Sequence, residues 1–162
     1  MPKLVAHSRV PRRSFAFSSL EEYNAKVWYN ASLEFQFLDG TPAERDLFER
    51  TFVIHYNLHA YLAAAALDEQ SQAKIAALMD CGRPIEDAIR QYENVDVEAA
   101  ETPECWARLW IDNQGGPAAL GEDRLDEFFD YDRFGRAMAA ANDIVEFEIA
   151  GETHFILSHS ID

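Results

Sequence analysis

The sequence has few of the residues and patterns around which several common classes of protein are built. It holds only two cysteines, Cys81 and Cys105, which are too few for a disulfide framework and are not spaced for zinc or redox chemistry. No apolar run is long enough to suit a membrane span. The basic N-terminus, with Pro2 and Pro11, has no apolar segment of the kind found in secretory signals. We therefore expect a cytoplasmic protein that makes no membrane contact.

The motifs of common catalytic sites are also missing. The sequence has no glycine-rich phosphate loop, no serine nucleophile elbow and no H-E-x-x-H pattern. His55 and His59 have the spacing of metal ligands on a helix, but His55 lies in a strand-like stretch and no glutamate follows it in the metalloprotease pattern. We expect no catalytic residue, no metal and no cofactor. A small metal-dependent hydrolase that uses His and Asp/Glu side chains stays open as an alternative, which metal analysis of the purified protein tests.

Positive charge is scarce in this sequence. Its 14 Lys and Arg residues stand against 29 Asp and Glu residues, which gives a formal net charge of −15. Residues 1–13 hold four of the basic residues and no acid, so residues 14–162 hold 29 acids against 10 bases, a net charge of −19. Such a surface repels the phosphates of nucleic acids and membranes and attracts basic surfaces, which are commonly nucleic-acid sites. We therefore expect a basic protein partner and no direct binding of nucleic acid.

The apolar pattern predicts an α+β fold. Hydrophobic residues make up 48% of the chain, enough for a core. Alternating apolar residues predict strands at 33–38, 144–149 and 154–158, the last two forming a C-terminal hairpin. Thr41-Pro42-Ala43-Glu44 is a capping box that starts a helix, and residues 51–56 resemble a further strand. The predicted units are a loose basic tail (1–13), an N-terminal α+β unit (14–58), a helical middle unit (59–102) and a C-terminal α+β unit (103–162).

The most acidic stretch of the chain is 118–138, predicted as two helical pieces separated near Asp130. On a helix its carboxylates recur once per turn, about every 5.4 Å, which is of the same order as the roughly 3.4 Å rise per base of one DNA strand. The three predicted units have net charges of −4, −6 and −9, as an extended anionic surface requires and a single catalytic pocket does not. The acids expected on this surface are Glu86, Asp87, Glu93, Asp96, Glu98, Glu101, Glu104, Asp112, Glu122, Asp123, Asp126, Glu127, Asp130 and Asp132.

Several motifs resemble the ArdA-type antirestriction proteins. The best matches are A-L-G-E at 119–122 and D-Y-x-x-F-G-R at 130–136. The segments at 15–24 (FAFSSLEEYN), 84–87 (PIED) and 106–115 (WARLWIDNQG) are similar to other parts of the family pattern. Members of that family are DNA mimics from plasmids, transposons and phages that block type I restriction enzymes. The resemblance implies an elongated protein of three small units that dimerises, mimics bent duplex DNA and acts in the cytoplasm of a bacterial host.

The resemblance also implies a partner, a type I restriction-modification enzyme, and chiefly its methyltransferase and specificity core. A related alternative is an acidic anti-CRISPR-type inhibitor of a Cas effector's DNA channel, because both targets offer channels lined by Lys and Arg. A unit of about 60 residues does not readily bury all of its large apolar side chains. Four such residues are therefore candidates for the dimer interface. They are Trp106, Trp110, Leu120 and Phe129.

Overall fold

Helices and two small antiparallel sheets make up the described part of the chain, which confirms the predicted α+β class. The computed structural model describes residues 1–8, 13–27, 32–95, 97–116 and 129–158. The chain divides into two compact units, Met1–Glu93 (the N-terminal unit) and Asn94–Asp162 (the acidic unit). Each unit has its own three-stranded sheet. No helix in the described ranges combines the length and apolarity needed to cross a membrane.

The N-terminal unit builds its sheet around the first strand. Its described elements are β1 (Lys3–Ser8), β2 (Arg13–Phe17), α1 (Leu20–Lys26), β3 (Leu33–Asp39), α2 (Pro42–Thr51), α3 (Leu58–Ala65), α4 (Glu69–Asp80) and α5 (Ile85–Gln91), followed by a 3₁₀ turn that starts at Tyr92. The order β2-β1-β3 places β1 in the middle, and Leu4 and Ala6 are fully buried. The predicted loose tail is therefore wrong for residues 3–8. The strand forms through its pairing with β2 and β3, which the basic residues and prolines around it do not reveal.

The helices of the N-terminal unit follow local signals. The Thr41 hydroxyl accepts a hydrogen bond from the Glu44 backbone N–H at 3.1 Å, and the Glu44 carboxylate accepts one from the Thr41 N–H at 2.8 Å. These two bonds complete the predicted capping box, and α2 begins there with Pro42 at its first position. The alanine-rich stretch that follows is helical as α3 and α4, as predicted.

The predicted strand at 51–56 is wrong. Helix α2 continues to Thr51, and the chain then forms a loop before α3. The Asn57 side chain holds this loop, because its Nδ2 donates to the Thr51 carbonyl at 3.1 Å and its Oδ1 accepts from the Ile54 N–H at 2.7 Å. The aromatic and branched residues here have the composition of a strand. Their backbone hydrogen bonds, however, go to the Asn57 side chain and to backbone groups three or four residues away, and within the described ranges none goes to a neighbouring strand.

The acidic unit packs two helices against one face of its sheet. Its described elements are β4 (Val97–Ala99), α6 (Pro103–Asn113), α7 (Tyr131–Ala141), β5 (Ile144–Ile149) and β6 (Glu152–Leu157). The predicted C-terminal hairpin is confirmed as β5 and β6, joined by a two-residue turn in which Ala150 (φ 54°) and Gly151 (φ 84°) are both left-handed. The sheet order is β4-β6-β5. A buried cluster of Trp106, Ala107, Ile144 and Phe155 joins α6 to the sheet.

Helices α6 and α7 approach each other closely. Helix α7 begins after Asp130, whose carboxylate accepts a hydrogen bond from the Arg133 N–H at 2.9 Å, so the predicted break near Asp130 is a helix cap. The helical piece predicted before it falls on residues 117–128, outside the described ranges. The rings of Trp110 and Phe134 stack across the two helices with centroids 6.2 Å apart. A side chain at Gly135 would meet the backbone at Pro103, so glycine lets the two helices come together there.

The predicted boundaries at 58/59 and 102/103 fall inside the two units. Helix α2 packs against α3 and α4 within the N-terminal unit. Strand β4 pairs with β6 within the acidic unit, with Glu98 opposite Phe155. Both contacts join segments that the sequence-based division separates.

Candidate interaction surface

The two units differ sharply in charge. Met1–Glu93 holds 13 acidic and 10 basic residues, a net charge of −3. Asn94–Asp162 holds 16 acidic and four basic residues, a net charge of −12, and contains no lysine. The sequence-based division spread the charge over three acidic units, whereas the observed division concentrates most of it in one. The acidic unit is therefore the first candidate for a charged interaction surface.

The described members of the predicted acidic set all reach the surface. Exposed members are Glu93, Glu101, Asp112, Asp130 and Asp132, and half-buried members are Glu86, Asp87, Glu98 and Glu104. Asp96, Glu122, Asp123, Asp126 and Glu127 lie outside the described residues. Glu86, Asp87 and Glu93 belong to the N-terminal unit, so the structure does not bring the whole set together within one unit. The remaining described members lie on β4, α6, α7 and the segments beside them.

Four further exposed acids lie on the C-terminal hairpin or just before it, and the predicted set omits them. They are Asp143, Glu146, Glu148 and Glu152. The signal for them was present, because the alternation that predicted β5 also places Glu146 and Glu148 on one face of that strand. These acids extend the anionic surface from the helices onto the sheet.

Local contacts hold several of these carboxylates in place. Glu98 accepts a hydrogen bond from the Asn113 side-chain amide at 2.9 Å. Glu104 lies in the first turn of α6, where a hydrogen bond from its own backbone N–H, with help from Thr102 and the nearby Arg136, lowers the pKa of its carboxyl. The Arg136 guanidinium Nε lies 3.7 Å from Glu104, as expected for an arginine that pairs locally. Glu104 therefore stays ionised at neutral and moderately acidic pH.

Another arginine of the acidic unit is directed towards an aromatic ring. The Arg108 guanidinium lies 4.7 Å from the centroid of the Tyr131 ring, in a cation–π contact between α6 and α7. This contact and the Arg136–Glu104 pair tie basic groups of the unit to the helix pair. The exposed acids Asp112 and Asp132 lie on the same two helices.

The predicted dimer candidates fall into different environments. Trp106 is 1% exposed and belongs to the core of its own chain, so the structure corrects its assignment as an interface residue. Trp110 is half-buried between the rings of Trp106 and Phe134. Phe129 is half-buried, 5.5 Å from Phe134 between ring centroids. Leu120 lies outside the described residues. The prediction missed Leu109, which is 42% exposed on α6.

The two histidines with metal-ligand spacing do not share a helix. His59 lies on α3, whereas His55 lies in the preceding loop, where its Nδ1 is 2.7 Å from the Tyr23 hydroxyl. Tyr23 is 1% exposed, and its burial raises the pKa of its hydroxyl. His55 therefore serves as a hydrogen-bond partner for a buried tyrosine. Within the described ranges, no three His, Cys, Asp or Glu side chains are grouped as a metal ion would require.

No family model, no curated protein and no solved structure matches this chain. The charge and geometry of the two units, together with the motif resemblance, remain as the indications of function.

Proposed function

We propose that the protein is a DNA-mimic inhibitor that occupies the DNA-binding groove of a type I restriction-modification enzyme, chiefly its methyltransferase and specificity core. The observation that carries the proposal is the charge of the acidic unit, 16 acids against four bases, with every described carboxylate of that unit at least partly exposed. Enzyme grooves that hold duplex DNA are lined with Lys and Arg. A surface with this density of carboxylates presents to such a groove the same negative charge as DNA.

The scaffold under these carboxylates supports the proposal. Acids on α6 and α7 are carried by two helices that pack closely at Gly135, and those on β5 are carried by a strand paired along its length with β6. Carboxylates on packed elements lose less conformational freedom on binding than those on a flexible chain. The D-Y-x-x-F-G-R motif contributes to this scaffold directly, because Phe134 stacks on Trp110 and Gly135 permits the helix contact.

In this proposal no single residue is catalytic, and the acids act together. Each exposed carboxylate is solvated and screened by salt, so removing one should cost about 1 kcal/mol or less of binding free energy. Removing several should weaken inhibition progressively, mainly through slower association. A catalytic acid would behave differently, because losing one such group costs orders of magnitude in rate.

The test is an in vitro restriction assay with a type I enzyme, in which the concentration of this protein that halves DNA cleavage is measured. One triple variant neutralises the acidic unit: Asp112→Asn, Glu146→Gln and Glu152→Gln. A control triple variant removes the same charge from the N-terminal unit: Glu21→Gln, Asp39→Asn and Glu69→Gln. All six residues are exposed. We expect single changes to leave inhibition nearly intact, the first triple to weaken it about tenfold or more, and the control triple to have little effect.

Salt and competing DNA provide the second part of the test. Binding in a basic groove releases counterions, so affinity should fall steeply as salt rises, and added duplex DNA should compete. Equal loss from the two triple variants would show that only total charge matters. A complex that still contains DNA, or no inhibition of the type I enzyme together with inhibition of a Cas effector, would overturn the proposal.

We also propose that the protein acts as a homodimer through the acidic unit. With Trp106 in the core, the apolar surface left for this contact includes the half-buried Trp110 and Phe129 and the exposed Leu109. Light scattering at micromolar concentration should give twice the chain mass, and Leu109→Ser should shift it towards one chain. A monomer in the unsubstituted protein would refute this part of the proposal without affecting the charge argument.

A further inference from the structure

The loop between α2 and α3, in the nearly neutral N-terminal unit, exposes three large apolar side chains. Phe52 is 83% exposed, Ile54 is 53% exposed and Tyr56 is 84% exposed. Single exposed apolar residues are ordinary on protein surfaces. Three at alternate positions of one short loop concentrate exposed apolar surface there, and concentrated exposed apolar surface commonly marks interaction sites.

This loop is held in an unfavourable backbone conformation. Phe52 has φ 47° and ψ 61°, in the left-handed region that bulky residues rarely adopt. The Asn57 side chain fixes the loop around it, because it donates a hydrogen bond to the Thr51 carbonyl and accepts one from the Ile54 N–H. A glycine at position 52 would adopt the same conformation without strain. The sequence instead keeps an aromatic ring there, pointed at solvent, and strain that persists in this way is typical of functional positions.

An apolar groove of about 500 Å³ lies beside the loop. Its lining includes Leu33 and Phe35 from the start of β3, Phe48 from α2, and Phe52 and Ile54 from the loop. Glu49, an exposed acid of α2, also lies along it. The groove therefore combines an apolar floor with negative charge.

Strand β3 borders this groove and lies at the edge of its sheet. In the order β2-β1-β3, the described part of the chain pairs β3 with β1 alone. The outer side of an edge strand presents backbone N–H and C=O groups to which an extended segment can add as a further strand. Alternate side chains of such a segment would then reach the apolar groove.

We infer that this groove docks an extended segment of a partner protein in which apolar and basic residues alternate. Charge selects this occupant over a second copy of the chain. Two copies would bring together molecules that each carry a net charge of −15 and an exposed Glu49 beside the groove, and like charges brought close together are destabilising. Lysine or arginine side chains of a partner would meet Glu49 favourably. This surface lies in the N-terminal unit and does not depend on the proposed DNA mimicry.

The probe is a synthetic peptide in which lysine and valine alternate, added to the full-length, ¹⁵N-labelled protein. We expect its amide chemical-shift changes to fall on Leu33–Asp39 and on residues 52–56. In about 1 M salt, where the screening length falls to about 3 Å, the shifts should weaken but stay on the same residues, because the backbone and apolar contacts are not screened. A peptide that alternates glutamate and valine, and one with its lysines and valines in separate blocks, are the control probes and should bind much more weakly.

The decisive variant is Phe52→Gly. It removes the exposed ring and also relieves the left-handed strain, so the melting temperature should stay the same or rise while peptide affinity falls about tenfold, as for the loss of one aromatic anchor. Ile54→Ser should also weaken binding. Leu20→Ser, which removes an exposed apolar side chain from α1, is the matched control and should leave peptide affinity unchanged.

Several results would overturn the inference. One is the absence of peptide binding, and another is a set of shifts confined to the acidic unit or abolished by salt. Equal binding of the glutamate peptide would also contradict it. Shifts on β3 that depend on protein concentration without any peptide would assign the groove to a second copy of the chain instead.

Discussion

Gly135 offers a sharp test of the packing inside the acidic unit. It lies within α7, where alanine normally stabilises a helix by about 1 kcal/mol relative to glycine. Here a Cβ would lie 2.6 Å from the Pro103 carbonyl carbon and 2.8 Å from the Glu104 nitrogen, and closer still to the Pro103 carbonyl oxygen. These atoms are backbone, so no side-chain rotation relieves the contact. We therefore predict that Gly135→Ala destabilises the protein even though it improves helix propensity.

The size of the effect follows from the displacement required. Ordinary contacts of a Cβ begin at 3.4 Å, so the Pro103 carbon has to retreat by the difference between 2.6 and 3.4 Å. Such a shift separates α6 from α7 and loosens the stack of Trp110 on Phe134. Overpacking of this kind costs about 1–3 kcal/mol, and a gap approaching 1 Å forfeits roughly a quarter to a half of each dispersion contact it opens. Because the clash is with backbone atoms, the upper part of that range, about 2–3 kcal/mol, applies; subtracting the propensity gain of about 1 kcal/mol leaves an expected net loss of about 1–2 kcal/mol.

Thermal and urea denaturation followed by circular dichroism measure this loss. A cost of about 1–2 kcal/mol lowers the melting temperature of a small unit by roughly 4–15 °C. Ala140→Gly on the same helix is the matched control, because Ala140 is exposed and the change should cost only the propensity difference of about 1 kcal/mol. If Gly135→Ala melts at or above the temperature of the unsubstituted protein, the close approach of the helices does not limit the side chain at position 135. Helix propensity alone then determines the change in stability.

Two further predictions concern single positions away from the helix contact. Ala150→Gly should stabilise the C-terminal hairpin by about 1 kcal/mol, because Ala150 has φ 54° in the turn and glycine adopts that conformation without strain; an unchanged or lower urea midpoint would contradict this. Asp68 caps α4, and the hydrogen bond from the Ser71 backbone N–H lowers the pKa of its carboxyl. Its contribution to stability is therefore complete above the unfolded-state pKa of about 3.9 and is lost as the pH falls through the lower folded-state pKa. Asp68→Ala should lower the melting temperature at pH 7 and differ much less from the unsubstituted protein near pH 2, and an equal difference at both values would refute the ionic origin.

The features that the sequence predicted correctly are those that depend on residues close together in the chain. The capping box at Thr41 needs only four consecutive residues, and the C-terminal hairpin needs two alternating runs around a short turn. Strand β1 was missed because its stability comes from β2 and β3, and the 51–56 loop was misassigned because its backbone partner is a side chain, Asn57. Local patterns do not contain such contacts.

The candidate surface, too, was predictable only where it depends on composition and local pattern. Composition alone indicated an anionic surface, and the described acids of the acidic unit do reach solvent. Its confinement largely to one unit was not predictable, because β4 joins that unit through pairing with β6, more than fifty residues later in the chain. Trp106 was misread as an interface residue for a similar reason, since the cluster that buries it includes Ile144 and Phe155 from the hairpin. The exposed loop at Phe52 had no sequence signal, because a left-handed aromatic residue looks like any other in a pattern of apolar spacing.

The central place of β1 in its sheet affects how the chain folds as it is synthesised. Residues 3–8 leave the ribosome well before their second neighbour, β3, which ends only at Asp39. Until that point Leu4, Val5 and Ala6, all buried in the finished sheet, have at most one side of their strand paired. At about 5–20 residues per second, that interval lasts on the order of seconds, during which this apolar strand is open to chaperones or to mispairing. Rare codons placed between 9 and 39 would lengthen the interval and should lower the soluble yield without changing a single amino acid.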